Sequence, residues 1–460
     1  MRFLSFAHLL SYQAEHLEDR TALVYGAGKR EVSYRALYEA VLQEAERWKR
    51  SGKTCLGVLC DGSFDCVKTI LAANLAGLQV VLLDENVPDE RLPGLIAYTD
   101  MDALWGDEDL TEEMSQHLTG GMVGGQWPPL QAGTGNGRVL FFTSGTTEAA
   151  KAVVLTDGSL CASAYNGGAK LPLTQADRLL CLLPLGHVFG FVCGLLWGLS
   201  CGASVALGRG MRHYLEDFAH FAPTAVSLVP TLLGFLLQNN ALNPELKLVL
   251  VGAGDCPPAL LELASAKGLR VSFGYGLTET SSGVAISVQG DPFAMEVCPD
   301  DEITLAEDGE ILVKAPTCMM QGYYKKPEDT RAVLQNGILR TGDLGRFDEE
   351  GLLHITGRKK EILVLSDGTK LFLPEYEAEL SAVLGTGELA LALRNGRPVL
   401  ILAGPAEDKA QLLRKLTPVT ARRPRGQQIT DIIFTDKPLP RTATGKLQRW
   451  ALQQRLEERT

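Results

Sequence analysis

Short apolar runs and helix-periodic segments alternate along the first 290 residues. Residues 35–50 carry apolar side chains at helical spacing, which predicts an amphipathic helix. Apolar runs at 55–60 and 80–83 enclose a periodic segment that ends at Leu75, with Asp61 as its predicted start signal. Strand, helix and strand in this order predict a parallel α/β unit. The pattern returns in further short apolar runs, at 139–142, 179–183, 225–229, 248–251 and 271–273.

One stretch allows two interpretations. Residues 179–207 contain no Asp, Glu, Lys or Arg, and this length of uncharged chain is enough to span a bilayer. Glycines also recur there at every fourth position, as in closely packed membrane helices: Gly190, Gly194, Gly198 and Gly202. Pro184, His187 and the lack of flanking aromatic or basic anchors favour the alternative, a helix buried in a large α/β core.

The pattern changes after about Asp300. Acidic turn clusters separate short alternating runs such as residues 310–314, which predicts a small antiparallel β subdomain at about 295–357. The predicted fold is therefore α/β: a large N-terminal domain of doubly wound sheets, residues 1–357, that includes this subdomain. Residues 358–460 are predicted to form a small mobile α+β domain.

Composition narrows the function classes. The chain has 460 residues, 45% of them hydrophobic, enough for about three folding units with large cores. Its net charge of −11 makes nucleic acid an unlikely default partner. Ten cysteines without a C-x-x-C pair indicate reduced, cytoplasmic thiols rather than zinc or disulfides. His8, Gln13 and Glu15 interrupt the apolar N-terminus, so no targeting segment is expected.

A hydroxyl-rich loop follows the predicted strand 139–142. It reads Thr143-Ser144-Gly145-Thr146-Thr147, with Lys151 four residues further on. Hydroxyls and exposed backbone N–H groups donate hydrogen bonds to phosphate oxygens, and an ammonium neutralises their charge. The spacing is not that of a P-loop. Taken alone, such a loop is more often an ordinary Ser/Thr-rich turn.

This loop resembles the signature of the AMP-forming acyl-adenylating enzymes: acyl-CoA synthetases, adenylation domains and luciferases. Five further stretches resemble motifs of that family in its order: Pro184-Leu-Gly-His187, Tyr275-Gly-Leu-Thr-Glu279, Thr341-Gly-Asp343, Gly357-Arg-Lys-Lys360 and Pro440-Arg-Thr-Ala-Thr-Gly-Lys446. Together they extend over residues 10–455. Six matches in order are specific, whereas each motif alone is more often a plain turn or a solvated surface.

The resemblance implies a nucleotide site. Its residues are Thr143, Ser144, Gly145, Thr146, Thr147, Lys151, Gly252, Ala253, Gly254, Tyr275, Gly276, Thr278, Asp343, Arg358 and Lys446. Tyr275 offers a flat face on which a purine can stack, and Gly276 allows close approach of the backbone. The carboxylate of Asp343 can accept hydrogen bonds from both ribose hydroxyls.

The resemblance also implies the catalytic and metal-binding residues. These are Lys446, Thr278 and His187 for catalysis and Glu279 for Mg²⁺. Lys446 lies on a glycine-containing loop, and its long stem can place a positive charge between a carboxylate and the α-phosphate. The hinge between the two domains is expected at Lys360.

The implied reaction has two steps. A carboxylate attacks the α-phosphate of MgATP to give an acyl adenylate and pyrophosphate, and after the small domain swings about Lys360 a thiol releases AMP. Residues 357–368 and 319–324 are most similar to bacterial long-chain fatty acyl-CoA synthetases. A fatty acid, ATP, Mg²⁺ and CoA are therefore the expected substrates and cofactors, with residues 179–207 and 226–237 as candidate walls of the acyl pocket.

The phosphate loop departs from the family pattern at Glu148, Ala150 and Ala152. A carboxylate at 148 repels a triphosphate, so we expect ATP use to be slower than in relatives with glycine there. Two rival functions stay open: a ligase that loads a separate acyl carrier protein, and a weakly active or non-catalytic adenylate-binding relative.

Overall fold

The computed structural model describes residues 1–106, 137–143, 151–254, 256–288, 291–365, 370–394, 397–441 and 447–457. Two large mixed sheets are followed by a small antiparallel sheet and a C-terminal α+β segment. The predicted fold class, α/β with a small antiparallel subdomain, is confirmed.

The larger sheet has nine described strands. From edge to edge they are Glu296–Val297, Ser282–Ile286, Arg270–Leu277, Leu248–Gly252, Ala225–Leu228, Arg178–Cys181, Ser204–Leu207, Thr21–Tyr25 and Arg30–Ser33. The block from Arg270–Leu277 to Thr21–Tyr25 is parallel, and the edge strands are antiparallel. Strands covered on both faces need continuous apolar runs, and every residue of Leu248–Gly252 is buried.

The second large sheet has six described strands. In spatial order they are Gly322–Tyr323, Ala152–Thr156, Arg138–Phe142, Gln79–Asp84, Cys55–Cys60 and Ala103–Trp105. Cys55–Cys60 and Gln79–Asp84 pair in parallel, which confirms the predicted strand–helix–strand unit. Its helix does not begin at Asp61. Ser63 caps the helix by accepting a hydrogen bond from the backbone N of Cys66, and the Asp61 carboxylate accepts one from the backbone N of Ser63, at 2.9 Å.

Helices cover the faces of these sheets. The described α-helices are Phe6–Leu17, Tyr34–Ser51, Phe64–Leu75, Leu92–Thr99, Asp157–Lys170, Trp197–Cys201, Tyr214–Phe221, Pro230–Gln238, Pro258–Ala266, Pro327–Val333, Leu373–Leu384, Lys409–Thr420 and Arg449–Glu457. Tyr34–Ser51 confirms the amphipathic helix: Leu37, Val41 and Ala45 are buried in the main core.

The uncharged stretch 179–207 is not one long helix. Strands Arg178–Cys181 and Ser204–Leu207 pair in parallel, and a π-helix, Gly190–Leu196, continuing as the α-helix Trp197–Cys201, connects them. A Cβ at Gly198 would lie 2.6 Å from Cγ2 of Val205, so the glycine lets the helix approach its own strand. Among the described helices, none is long and apolar enough to cross a membrane.

The antiparallel subdomain has the predicted position. Its strands are Glu302–Leu305, Glu310–Lys314, Leu334–Gln335, Ile338–Phe347 and Leu353–Arg358, and every pairing among them is antiparallel. In strand Ile338–Phe347 the residues Leu339 and Asp343, which lie on one face, are buried, whereas Ile338, Arg340 and Arg346 on the other are exposed.

The C-terminal segment is α+β. Strands Ile362–Val364 and Lys370–Phe372 form a hairpin pair, and Leu389–Arg394, Arg397–Ala403 and Asp431–Thr435 form a separate sheet. Leu371, Tyr376, Leu380, Leu400 and Leu416 belong to a hydrophobic cluster of its own, distinct from the main core. The domain boundary at residue 357 and the hinge at Lys360 stay predictions.

Candidate active site

A buried carboxylate, Asp343, forms the centre of the candidate site. It lies in strand Ile338–Phe347 directly opposite Arg358, the last residue of Leu353–Arg358. Nε of Arg358 is 2.9 Å from Oδ1 of Asp343, and the Tyr275 hydroxyl donates to Oδ2 at 2.9 Å. Three residues that are far apart in sequence therefore meet at one carboxylate, which is only 2% exposed.

Tyr275 lies beside Asp343 and is 8% exposed. Stacking of a purine on its ring stays a prediction. Burial and then the negative charge of Asp343 raise the pKa of Tyr275 well above its ordinary value. The phenol therefore remains protonated at neutral pH and acts as a hydrogen-bond donor to Asp343.

Position 276 requires glycine because the neighbouring strand lies too close for a side chain. A Cβ there would overlap the carbonyl oxygen of Ser282 on the neighbouring strand Ser282–Ile286. The backbone then turns through Thr278–Thr280, where the Thr280 hydroxyl accepts a hydrogen bond from the backbone N of Leu277 at 3.1 Å. This turn brings Thr278 and Glu279 to the end of the strand.

Glu279 is joined to the phosphate loop through Tyr323. The Tyr323 hydroxyl donates to Oε1 of Glu279 at 2.7 Å, and Nζ of Lys151 lies 4.7 Å from the centre of the Tyr323 ring. A single carboxylate beside a triphosphate suits Mg²⁺, which prefers one or two carboxylates together with phosphate oxygens and water. Among the described residues, no group of three or more His, Cys, Asp or Glu could hold a metal.

The base of the phosphate loop is closed by hydrogen bonds. The backbone N of Thr143 donates to the carbonyl of Lys151 at 2.9 Å, and the backbone N of Lys151 donates to Oγ1 of Thr143 at 3.3 Å. Nζ of Lys151 lies 3.1 Å from Oδ2 of Asp329. The other predicted members of the loop lie outside the described residues: Ser144, Gly145, Thr146 and Thr147, with Glu148 and Ala150.

Residues 252–254 follow a parallel strand beside the Tyr275 strand. Gly252 pairs with Gly274, so both segments reach the same edge of the sheet, where α/β proteins bind ligands. Ala253 has φ +61°, a left-handed conformation that costs a residue with a Cβ about 1 kcal/mol. A Cβ at Gly252 would lie 3.1 Å from Cζ of Phe189, so glycine allows that ring to pack against the strand end.

His187 faces a carboxylate at the end of a strand in the second sheet. Its Nε2 lies 3.7 Å from Oδ2 of Asp84, the last residue of Gln79–Asp84. Burial lowers the pKa of His187 below its ordinary value, against the opposing effect of Asp84. The imidazole is therefore mostly neutral at pH 7 and can both donate and accept a hydrogen bond.

The structure adds partners that the sequence motifs did not reveal. Asp84, Tyr323 and Asp329 contact predicted site residues from other strands or helices, and Glu310 contacts Lys359, the neighbour of Arg358. The sequence contains a signal for Asp84, because this residue ends an apolar run at the carboxyl end of a predicted parallel strand. Lys446 lies outside the described residues, so its position stays a prediction.

Comparisons with known proteins agree with this geometry. Residues 10–324 match the family model described as AMP-binding enzyme. The chain is 28% identical over 480 residues to a 2-succinylbenzoate–CoA ligase of Bacillus velezensis, covering 96% of each protein. It is 31% identical over 336 residues to the Bacillus subtilis ligase of the same name, covering 67% of each. The structure of Bacillus subtilis O-succinylbenzoate coenzyme A synthetase with ATP and magnesium ion has a TM-score of 0.82 at 26% identity, covering 96% of this chain and 98% of that one.

Proposed function

Because the chain belongs to the AMP-binding enzyme family and is an acid–thiol ligase of the AMP-forming type, we propose that it converts 2-succinylbenzoate to its CoA thioester. ATP, Mg²⁺ and CoA are its co-substrates and cofactor in this proposal. The observation that carries it is the pair of relatives with this name, one of which matches over 96% of both chains.

The first step joins acid and nucleotide. A carboxylate oxygen of the acid attacks the α-phosphorus of ATP, the bond to the β-phosphate oxygen breaks, and pyrophosphate leaves. Asp343 and Arg358, which contact each other, would hold the ribose, and Lys151 and Thr143 are at the base of the loop that would face the triphosphate. Glu279 would hold Mg²⁺, which would supply positive charge at the phosphates, and Lys446 would offset the charge that develops at the α-phosphate.

The second step transfers the acyl group. The thiol of CoA loses its proton and attacks the acyl carbon of the adenylate, and AMP leaves. His187 lies beside Asp84, which ends strand Gln79–Asp84, and its neutral imidazole could orient the acyl group or the incoming thiol by a hydrogen bond.

The acid is the part of this function that differs from the sequence expectation. Similarity to long-chain fatty acyl-CoA synthetases implied a fatty acid, and the curated relatives give no support to it. They support a compact dicarboxylic aromatic acid. They also give no support to an acyl carrier protein as the acceptor, so CoA is the proposed thiol. We place the reaction in the cytoplasm, in agreement with ten free cysteines.

The test is pyrophosphate release with MgATP and a set of acids, with and without CoA. 2-Succinylbenzoate is compared with benzoate, succinate and palmitate, and thioester is quantified in parallel. We expect release and thioester with 2-succinylbenzoate at least about tenfold above the others, because two carboxylates and a ring offer the site more contacts. Lys446→Ala is the matched inactive control.

Each outcome is decisive. Release with palmitate and none with 2-succinylbenzoate overturns the proposed acid and leaves the ligase reaction. Pyrophosphate without thioester in the presence of CoA overturns CoA as the acceptor. No release with any acid, from a protein that still binds AMP in calorimetry, overturns the ligase function and favours a non-catalytic adenylate-binding protein.

A further inference from the structure

A second buried carboxylate, Glu310, lies behind the ribose site. It is 3% exposed and lies at the start of strand Glu310–Lys314. Its Oε1 accepts a hydrogen bond from the backbone N of Gly342 at 3.0 Å. Its Oε2 accepts from Nζ of Lys359 at 2.7 Å and also from the guanidinium of Arg340.

These partners come from two strands that carry the ribose-binding pair. Arg340 and Gly342 precede Asp343 on one strand, and Lys359 directly follows Arg358 at the end of the other. Glu310 therefore fixes both strands at positions next to the Asp343–Arg358 contact. Lys359 is held a second time, because its Nζ lies 2.6 Å from Oδ2 of Asp308.

The charges of this cluster are mutually stabilising. Burial opposes the charge on Glu310, but hydrogen bonds from Lys359 and Gly342 outweigh it and lower the pKa of Glu310. Hydrogen bonds to Asp308 and Glu310 raise the pKa of Lys359. The ion pair is therefore fully charged across neutral pH.

The position of Lys359 in the chain gives the cluster a function beyond stability. Residues 359–361 form a single turn between strand Leu353–Arg358 and the C-terminal segment, and the predicted hinge, Lys360, lies in it. A rotation about this turn would pull on Arg358 unless the residue before the hinge were fixed. Lys359 is the residue before the hinge, and its ammonium pairs with Asp308 and Glu310 of the antiparallel subdomain.

We infer that Glu310, through its ion pair with Lys359, is a positioning residue that confines domain rotation to residues after Lys359 and keeps Asp343 and Arg358 on the ribose. The inference rests on the proposed two-step function. Only an enzyme whose small domain rotates between adenylation and thioester formation must keep the acyl adenylate bound during that rotation. Loss of the ion pair should let the rotation disturb Arg358 and release adenylate to solvent before CoA reacts.

The test is the ratio of pyrophosphate released to thioester formed, measured with MgATP, acid and CoA. Wild-type enzyme is expected to give a ratio near one, and Lys359→Met a ratio higher by roughly a factor of two to ten. A purely structural defect lowers both products together and leaves the ratio unchanged. Free acyl adenylate, detected in the medium by mass spectrometry, identifies the leak.

Two control variants accompany it. Lys314→Met removes the ammonium of another ion pair in the same sheet, with Glu302, in which both side chains are more than half exposed; its ratio should equal wild type. Lys359→Arg retains the charge and should restore the wild-type ratio. Glu310→Gln removes the carboxylate of the ion pair with Lys359, and this variant should release acyl adenylate as Lys359→Met does.

The outcomes separate the two proposals. A wild-type enzyme that releases no pyrophosphate with any acid overturns the proposed function itself. Active wild type together with ratios near one in both Lys359→Met and Glu310→Gln overturns only the inference about Glu310. Equal leakage in Lys314→Met and Lys359→Met would also overturn it, because the effect would then not depend on the contact beside the hinge.

Discussion

Asp343 shows how one residue combines binding with stability. Its buried carboxylate is satisfied by Tyr275 and Arg358, and a carboxylate without such donors would be costly to bury. The same oxygens are the acceptors that a ribose would need. The proposed ribose acceptor is therefore fixed in position by Tyr275 and Arg358.

Tyr275→Phe removes one of these donors while leaving the ring. We expect the variant to be less stable by about 1–3 kcal/mol, because a buried carboxylate oxygen loses its hydrogen bond. The measurement is the thermal midpoint, with Tyr324→Phe as the control. Tyr324 donates to Asp100, which is 28% exposed and can replace the lost donor with water. An equal loss in both variants would contradict this account.

Lys151 offers a second test at the scale of a residue. Its ammonium pairs with Asp329, so a triphosphate that binds Lys151, as proposed, would have to displace that carboxylate. Asp329→Asn should lower KM for MgATP by roughly two- to fivefold with little change in kcat, since exposed ion pairs are worth at most about 1 kcal/mol.

The neighbouring variant Glu328→Gln separates contact from net charge. It removes one negative charge from the same helix, Pro327–Val333, and should change KM much less than Asp329→Asn does. Equal decreases in the two variants would mean that long-range charge, and not the Lys151 contact, controls nucleotide binding.

At the scale of elements, the glycine repeat of residues 190–202 has a local cause. Gly198 faces Val205 and Leu179 of the two strands that its helix connects. Gly198→Ala should therefore lower stability by about 1–3 kcal/mol through overpacking. Gly167, inside Asp157–Lys170, has open space around its Cβ position, so Gly167→Ala should raise stability by about 0.5–1 kcal/mol. Thermal midpoints that move in the same direction would contradict the packing argument.

The sequence predicts elements better than it predicts their contacts. Apolar runs such as 55–60 and 248–251 are bounded by polar or glycine positions, so their strands were predictable to within a residue or two. Beyond the run at 179–183, the rest of residues 179–207 was not, because uncharged turns, helix and strand together lack a boundary that hydropathy can detect. The cap at Ser63 was missed since Asp61 is an equally good start signal.

Contacts between distant elements depend on register and packing, which a single sequence does not give. The motifs indicated Asp343 and Arg358, but not that Tyr275 would donate to the same carboxylate. Tyr323 and Glu279 are 44 residues apart, and nothing near either one indicates the other. The motifs predict which residues bind the ligand, whereas the side chains that contact those residues became visible only in the fold.

At the scale of the whole molecule, Asp301 connects three regions. Its Oδ2 accepts from Nδ2 of Asn166 in helix Asp157–Lys170 at 3.2 Å, and it precedes the first strand of the antiparallel subdomain. Arg2 of the N-terminal segment contributes positive charge and pairs with Asp300. Oδ1 of Asp301 is buried and has no hydrogen-bond partner within the described part of the chain.

This environment makes the junction sensitive to pH. Burial raises the pKa of Asp301 from 3.8 to about 7, against smaller opposing effects of Asn166 and Arg2. Glu296, Lys170, Cys298 and Cys318 are the other titratable groups around this junction. Between pH 4 and 7 the native state holds a proton that the unfolded chain has lost, so stability falls as pH rises through this window.

Asp301→Asn should remove this pH dependence. As the pH rises from 5 to 8, the thermal midpoint of the wild type is expected to fall relative to that of the variant. The corresponding loss in the free energy of unfolding has an upper limit of about 1.4 kcal/mol per unit of difference between the folded and unfolded pKa of Asp301. Glu302→Gln, next to it but 62% exposed, should keep the wild-type profile. Parallel profiles for wild type and Asp301→Asn would show that Asp301 is already ionised in the native state. The midpoint difference between pH 5 and pH 8 thus measures whether the buried Asp301 carboxyl, which contacts Asn166, is protonated or ionised in the folded protein.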